Sequence, residues 1–494
     1  MGKRVLCFDF GASSGRAVLA WFDSESLCIR TEEVHRFKNR SVNVNGTLYW
    51  DILSLYSEIR TGLVKAHKAG GFDSVGIDTW GVDYGMIDSN GFLMSNPVQY
   101  RDRRTSGMIE AAEKLITLEK LYKLTGNQIM EINTAFQLLA EKKQRPYILE
   151  NGAALLPTPD LLAYMLTGEI SAELSISSTT QLFDPNTLDW SYEAISALGL
   201  PKEVFPKIVK PGESKGMLLP ALCEELNIPQ AEVIAVCGHD TQCAYYAAPL
   251  TSNNRIIISC GTWSLVGKII DKPILTDEAR TLGITNEVGV NGEINLLKNI
   301  TGLWLVQETK AFLEAQGQEY SFAELEALAR EEESFTAFID PDAPEFSSSG
   351  DIPQRIKDYC KKTGQTPPEN LGQVMRTIYL SLAMKYHLAV EQLDKLTEKS
   401  FDTIHMVGGG IRDTLLCQLT ADVCGAEVMA GPIEATVLGN ALIQLIRNGE
   451  IPAEVYKRRI VESTALISNE LYRCKPQKNY NDEYKAFKNI INER

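Results

Sequence analysis

Val5-Leu6-Cys7-Phe8-Asp9 runs into Phe10-Gly11-Ala12-Ser13-Ser14-Gly15-Arg16 and returns as Ala17-Val18-Leu19-Ala20-Trp21. An apolar β-prone run, a tight turn of glycine and hydroxyl residues, and a second apolar run spell a β-hairpin. The design recurs mid-chain. Arg255-Ile256-Ile257-Ile258-Ser259 leads into Cys260-Gly261-Thr262-Trp263-Ser264, and Leu265-Val266-Gly267-Lys268-Ile269-Ile270 returns. Glycine lets a turn bring backbone N–H groups close to an anion, and Ser or Thr adds hydroxyl donors. One such hairpin is only a turn. Two, one in each half, predict two similar lobes with a polyphosphate gripped between them.

The turn chemistry excludes commoner nucleotide folds. A Walker A loop needs Gly-Lys-Ser/Thr opening a helix, and neither Gly11 nor Gly261 is followed by that tripeptide. A dinucleotide fingerprint also opens a helix, whereas residues 17–21 are wholly apolar and read as a returning strand.

The chain has 494 residues, 44% of them hydrophobic, enough for two to four domains with large cores. Its 49 basic and 64 acidic residues give a net charge of -15, which argues against nucleic acid and anionic membranes as partners. An ATP site in so acidic a chain must rely on local amide dipoles, a metal ion and a few placed cations. Ten cysteines without CxxC spacing read as buried reduced thiols in a cytosolic protein, and the five histidines form no zinc pattern. The start of the chain has no signal-peptide core and no run approaches the ~18 apolar residues of a membrane span, so a cytoplasmic location is expected. The sequence leaves open whether the chain works as a monomer or a homodimer.

Strand-like runs at 4–9, 16–22 and 28–37 precede a helix from Asp51 to Lys68, in which Asp51 is the N-cap and Leu53, Tyr56, Ile59 and Leu63 recur at helical spacing. A buried strand at 73–78 and an Asn90-Gly91 turn follow, then helices over 106–145 and 159–167. Val233 to Val236 is a buried strand delivering Cys237-Gly238-His239-Asp240 at its C-terminal end. The second half reads as helices at 302–316, 321–333, 370–397 and 435–448, with strands at 403–407 and 426–430. The expected division is an N-terminal lobe over 1–247, a C-terminal lobe over 248–450 and a C-terminal extension over 451–494. The fold class is α/β, a mixed sheet flanked by helices and duplicated.

Asp240 lies just beyond a buried strand, where α/β folds place their ligands. It is either a general base accepting a hydroxyl proton during phosphoryl transfer, or an N-cap of the helix starting at Thr241. Asp9 ends the first strand beside the glycine turn, where it either holds Mg²⁺ against phosphates or serves turn chemistry. A carboxylate beside a phosphate loop repels it unless a metal intervenes, so the two readings stand together. Gly408-Gly409-Gly410 permits close approach by a flat nucleoside or is a bare strand-to-helix turn. Trp80, Asp83 and Tyr84 combine aromatic faces with a carboxylate, as sugar pockets do, or belong to the core.

With Phe8-Asp9-Phe10-Gly11, Gly238-His239-Asp240, Gly261-Thr262-Trp263-Ser264 and Gly408-Gly409-Gly410 in this order, the chain resembles the FGGY carbohydrate kinases from Val5 to about Leu445. Segments Gly76 to Asp83, Tyr100 to Thr105, Lys298 to Trp304 and Gly431 to Ala435 are similar to the branch that acts on L-rhamnulose. The resemblance implies two ribonuclease-H-like lobes of the actin/hexokinase type with ATP in the interlobe cleft. It implies that Ala12, Ser13, Ser14, Gly15 and Arg16 bind ATP phosphates together with Thr262, and that Gln307 and Gly409 lie on the nucleotide. Gly81, His239, Asp240, Thr241 and Asn299 would contact the sugar, with Asp240 as proton acceptor; the reading of Asp9 on Mg²⁺, directly or through water, rests on its place beside the first turn. The implied partners are a small sugar and ATP. Ala12 stands where many relatives carry Thr, His239 replaces a small residue, and Trp263 replaces smaller ones. The rivals are an FGGY kinase of L-fuculose, xylulose or glycerol, and an actin- or Hsp70-like ATPase.

Overall fold

The computed structural model describes residues 2–249, 254–451, 457–467 and 470–492. Both hairpins form. β1 (Arg4–Phe10) and β2 (Ser14–Asp23) pair antiparallel from Arg4 opposite Trp21 to Phe10 opposite Gly15. Beyond β2 comes β3 (Cys28–Lys38), and on its other side β1 runs parallel to β4 (Ser74–Thr79). With β5 (Ser214–Met217) and β6 (Glu232–Ile234) the order is β5-β6-β4-β1-β2-β3. β1 and β4 are continuous buried runs because both faces of the sheet are covered.

One cover is α1 (Ile52–Lys68), whose Ile52, Leu55, Ile59 and Leu63 pack with Leu6, Phe8, Ala17 and Leu19 of the hairpin. Asp51 caps it by accepting the Ser54 N–H at 3.1 Å. Leu53, expected on the apolar face, is 59% exposed, because the stripe that meets the sheet runs through Leu55 instead. The helix Ala435–Arg447 packs against β1, β4 and α2 (Asp240–Tyr246). A Cβ on Gly439 would stand 2.0 Å from the Cys243 carbonyl oxygen, so the two helices meet backbone to backbone and only glycine fits. The helix expected over 106–145 breaks into Met108–Glu113, Leu118–Thr125 and Thr134–Gln144, with Thr117 capping the second through the Lys120 N–H.

The second hairpin repeats the plan. β7 (Arg255–Cys260) is antiparallel to β8 (Trp263–Ile270) and parallel to β11 (Thr403–Val407), as β1 is to β2 and β4. With β9 (Thr285–Val288), β10 (Ile294–Thr301), β12 (Val428–Ala430) and β13 (Tyr472–Cys474), the order is β9-β10-β8-β7-β11-β12-β13. Helices α3 (Trp304–Ala315) and α4 (Leu371–Thr397) match the periodic segments of the sequence. The helix Ile352–Lys362 was not read from sequence, although Asp351 caps it and Pro353 sits in its first turn.

The chain divides into two compact units, each discontinuous: Met1–Ala247, Ile269–Leu296 and Ala435–Ile467 form one, and Ala248–Lys268, Leu297–Glu434 and Ser468–Arg494 the other. The C-terminal segment contributes to both. Helix Lys457–Ile467 lies on β3, where Thr464 Oγ1 accepts the Ile29 N–H at 2.9 Å. Helix Asn481–Asn492 lies on α4, with Tyr484 Oη donating to Glu391 at 2.6 Å. All ten cysteines are free thiols, nine of them buried. No helix among the described residues is long and apolar enough to cross a membrane.

Candidate active site

In the first unit the β1–β2 turn is closed by the Gly11 N–H, which donates to the Ser14 carbonyl at 2.9 Å. Asn39 clamps it from outside, through its N–H to the Ser13 carbonyl and its Nδ2 to the Gly11 carbonyl, each at 3.0 Å. Ala12, Ser13 and Ser14 are left partly or fully exposed, while Gly15 is buried under Phe10 and Phe37. Arg16 and Asp9 are cross-strand partners, and Arg16 donates from Nε at 2.9 Å and Nη2 at 2.7 Å to Asp9 Oδ2. Arg16 is therefore engaged with Asp9.

Asp78, which the sequence presented only as the end of a strand, is register-matched to Asp9 on β4 and is fully buried. Its Oδ2 accepts from Asn440 Nδ2 at 2.6 Å, and its Oδ1 has no donor. Burial, and then the Asp9 carboxylate, raise its pKa well above the usual carboxylate range.

The loop Gly238–Thr241 is fixed through its backbone. Gly238 N–H donates to Glu173 Oε2 at 2.8 Å, His239 N–H to Ser175 Oγ at 3.3 Å, and the Gly238 carbonyl accepts the Thr79 N–H at 2.8 Å. Glu173 is buried, also accepts the Ser175 and Ile176 N–H groups, and is pushed up to about 7 by burial. His239, not Asp240, is the N-cap of α2; Asp240 is its first residue and accepts only from its neighbour Thr241. That overturns the capping alternative. The Asp240 side chain is 30% exposed, and burial raises its pKa to about 6, with His239 opposing the shift and Asp9 adding to it.

His239 Nδ1 is 2.8 Å from Glu287 Oε2, and its Nε2 is 3.5 Å from Asp240 Oδ1. Glu287 also accepts Gln242 Nε2 at 2.7 Å, and Asn295 donates to Gln242. Asn39, Asp78, Glu173 and Glu287 were all missed in the sequence. Each lies far along the chain from the group it holds, and a lone polar residue in an apolar run gives no sign of its partner.

Trp80, Asp83 and Tyr84 are buried to within 6%. The Asp83 carboxylate is occupied by Trp50 Nε1 at 2.6 Å, Trp80 Nε1 at 2.9 Å and Gln137 Nε2 at 3.0 Å, so the cluster is a core hub rather than an open sugar face. Gly81 precedes it in a tight turn, where the Asp83 N–H donates to the Gly81 carbonyl at 2.9 Å and Val82 sits at φ 66°. A β-branched residue there is strained, and Thr134 and Gln137 hold it by donating to its carbonyl.

In the second unit Thr262 Oγ1 donates to Gln307 Oε1 at 3.2 Å, bringing together two residues expected on the nucleotide. After β11, a Cβ on Gly410 would lie 2.5 Å from Cys260 Sγ, whereas one on Gly409 would meet nothing within 4 Å. Gly410 is needed for packing; Gly409 faces open space. Asn299 is half-buried on β10 beside Lys298, whose ammonium is pushed down to about 8 by burial and by Lys385.

Residues 4–246 match the N-terminal domain, and residues 256–447 the C-terminal domain, of the FGGY family of carbohydrate kinases. The chain belongs to that family. It is thus an ATP-dependent phosphotransferase with an alcohol group as acceptor. Among curated proteins this FGGY kinase is 38% identical over 492 residues to a rhamnulokinase of Bacteroides thetaiotaomicron, covering 99% of this chain and 100% of that one. It is 40% identical over 492 residues to a rhamnulokinase of Enterococcus faecalis, covering 98% and 97%. The fold is shared with ligand-bound xylulose kinase of Lactobacillus acidophilus, at TM-score 0.77, 14% identity and coverage of 99% and 96%. It is shared too with Plasmodium falciparum glycerol kinase bound to ADP, at TM-score 0.75, 14% identity and coverage of 100% and 97%.

Proposed function

We propose that this kinase transfers the γ-phosphoryl group of ATP to O1 of L-rhamnulose, giving L-rhamnulose 1-phosphate and ADP, in cytoplasmic L-rhamnose catabolism. The choice of sugar is supported by the similarity to rhamnulokinases over nearly the full chain. The chemistry is carried by one observation: Asp240 is a partly open carboxylate at a strand end, held by a fixed loop and raised to about 6. Such a group is ionised at neutral pH yet basic enough to accept a proton.

The O1–H bond breaks as Asp240 takes the proton, O1 bonds to the γ-phosphorus, and the bond from that phosphorus to the bridging oxygen breaks to release ADP. Gly81, His239, Thr241 and Asn299 would hold the sugar. Ala12, Ser13, Ser14 and Gly15 would offer donors to ATP phosphates, with Arg16 acting beside them from its pair with Asp9. Thr262, Gln307 and Gly409 would contact the nucleotide. Residues 1–247 would then supply most of the sugar contacts together with the first phosphate turn, 248–450 the nucleotide contacts together with Asn299, and 451–494 packing.

Asp9 would hold Mg²⁺, directly or through water. Asp9 and Asp78 lie side by side, and Asp78 Oδ1 is buried without a donor, so one carboxylate oxygen beside the Arg16–Asp9 pair is left of the type a hard divalent cation takes. When bound, the ion neutralises phosphate charge. ADP release coupled to NADH oxidation, measured across L-rhamnulose, L-fuculose, D-xylulose and glycerol at saturating Mg²⁺-ATP, tests the assignment. The highest kcat/KM belongs to L-rhamnulose; preference for glycerol or D-xylulose would overturn the substrate while leaving the kinase in place.

A further inference from the structure

His239 stands between two carboxylates, with Nδ1 2.8 Å from Glu287 Oε2 and Nε2 3.5 Å from Asp240 Oδ1. The Nδ1 contact is a hydrogen bond, while Nε2 and Asp240 Oδ1 are a charge pair at 3.5 Å; a carboxylate offers lone pairs only, so a ring set between two of them is favoured as the imidazolium. Burial, the largest influence, works against that charge, and the Glu287 carboxylate with its hydrogen bond, joined by Asp240 and Glu173, more than offsets it, leaving the His239 pKa raised. Glu287 is itself 3% exposed and pinned from a second side, since its Oε2 also accepts Gln242 Nε2. It sits on β9, some 50 residues along the chain from the loop it braces.

We propose that Glu287 is a positioning residue for phosphoryl transfer: it holds the His239 ring in place as a cation, with Nε2–H turned to Asp240, and so keeps that carboxylate ionised to receive the sugar's proton. This rests on Asp240 being the base. The other charged groups facing the pair are Asp9 on β1, Asp78 on β4 and Glu173 beside Gly238. Of these, Asp9 raises the Asp240 pKa, Asp240 in turn raises that of Asp78, and Glu173 favours the charged form of His239, so a cation next to Asp240 works against both burial and Asp9. Lys457 lies at the far end of α2, over the Tyr246 ring.

The test is the pH dependence of kcat and sugar KM for the wild type, Glu287→Gln, His239→Gln and Asp240→Asn, with ¹⁵N-histidine spectra of the ligand-free proteins. Glu287→Gln should move the acidic limb of kcat up by about one pH unit. That is a loss of roughly 5-fold against wild type at pH 6, shrinking as pH rises towards 8.5. Its His239 resonance should change from imidazolium to a neutral tautomer near pH 7. His239→Gln should show the same limb shift, and it decides the matter if Glu287→Gln does not fold. A limb that stays put in both variants, or in Glu287→Gln a rise in sugar KM equal at every pH with kcat unchanged, would overturn the inference while leaving Asp240 as base. A near-normal kcat in Asp240→Asn would overturn both.

Discussion

Asp9 and Asp78 occupy matched positions on adjacent parallel strands, so their carboxylates project from the same face of one sheet. Each is compensated differently. Asp9 takes two donors from Arg16, whereas Asp78 takes one from Asn440 and keeps an oxygen without any. Two carboxylates in register on a buried sheet disfavour each other's charge, and burial together with Asp9 raises the Asp78 pKa well above the usual carboxylate range.

If Asp9 is the metal-facing member, Asp9→Ala should weaken divalent-ion binding and spare sugar binding. Mn²⁺ paramagnetic resonance in the presence of ADP reads the first directly, and calorimetry with sugar alone reads the second. A raised sugar KM with unchanged Mn²⁺ affinity would remove Asp9 from the metal.

Asp240→Asn keeps the shape of the side chain and removes its basicity. A general base contributes about 10²–10⁴-fold, so kcat should fall by that factor with ATP and sugar affinities largely retained. Single-turnover kinetics with calorimetric binding separates the two.

The Asp240 carboxyl is raised to about 6, and only its ionised form can accept a proton. Activity should therefore be full well above pH 6 and fall as pH drops through it, towards tenfold per unit once most of the carboxyl is protonated. Its 30% exposure lets water screen neighbouring charges, so added salt should move this limb only slightly. A limb set near pH 4 would place the functional base elsewhere.

Asn440→Leu removes the donor to Asp78 Oδ2 and leaves a fully buried acceptor unsatisfied. Such a group costs about 1–3 kcal/mol, and at ~2 cal/mol/K of unfolding entropy per residue that is a fall of roughly 1–5 °C in the unfolding midpoint of a unit this size. Scanning calorimetry resolves that. An unchanged midpoint would show that Asp78 is satisfied without Asn440.

The two hairpins, the Asp51 cap, the α3 and α4 helices and the strand before Gly408 were legible in the sequence because each is written locally, in alternation, periodicity or a turn residue. The places of Asp9 and Asp240 at strand ends, and of the glycine turns, were legible for the same reason: a turn or polar residue that ends an apolar run is visible next to it. The tertiary structure decided what distant residues do to them. It gave Arg16 to Asp9, put Asp78 beside it, turned Asp83 into a core hub with Trp50 and Trp80, and bracketed His239 between Asp240 and a glutamate from another strand. Hydrogen bonds and charges act over a few ångströms of space whatever the separation along the chain. One sequence therefore shows where polar residues sit on their local elements, and only the folded chain shows which of them are paired.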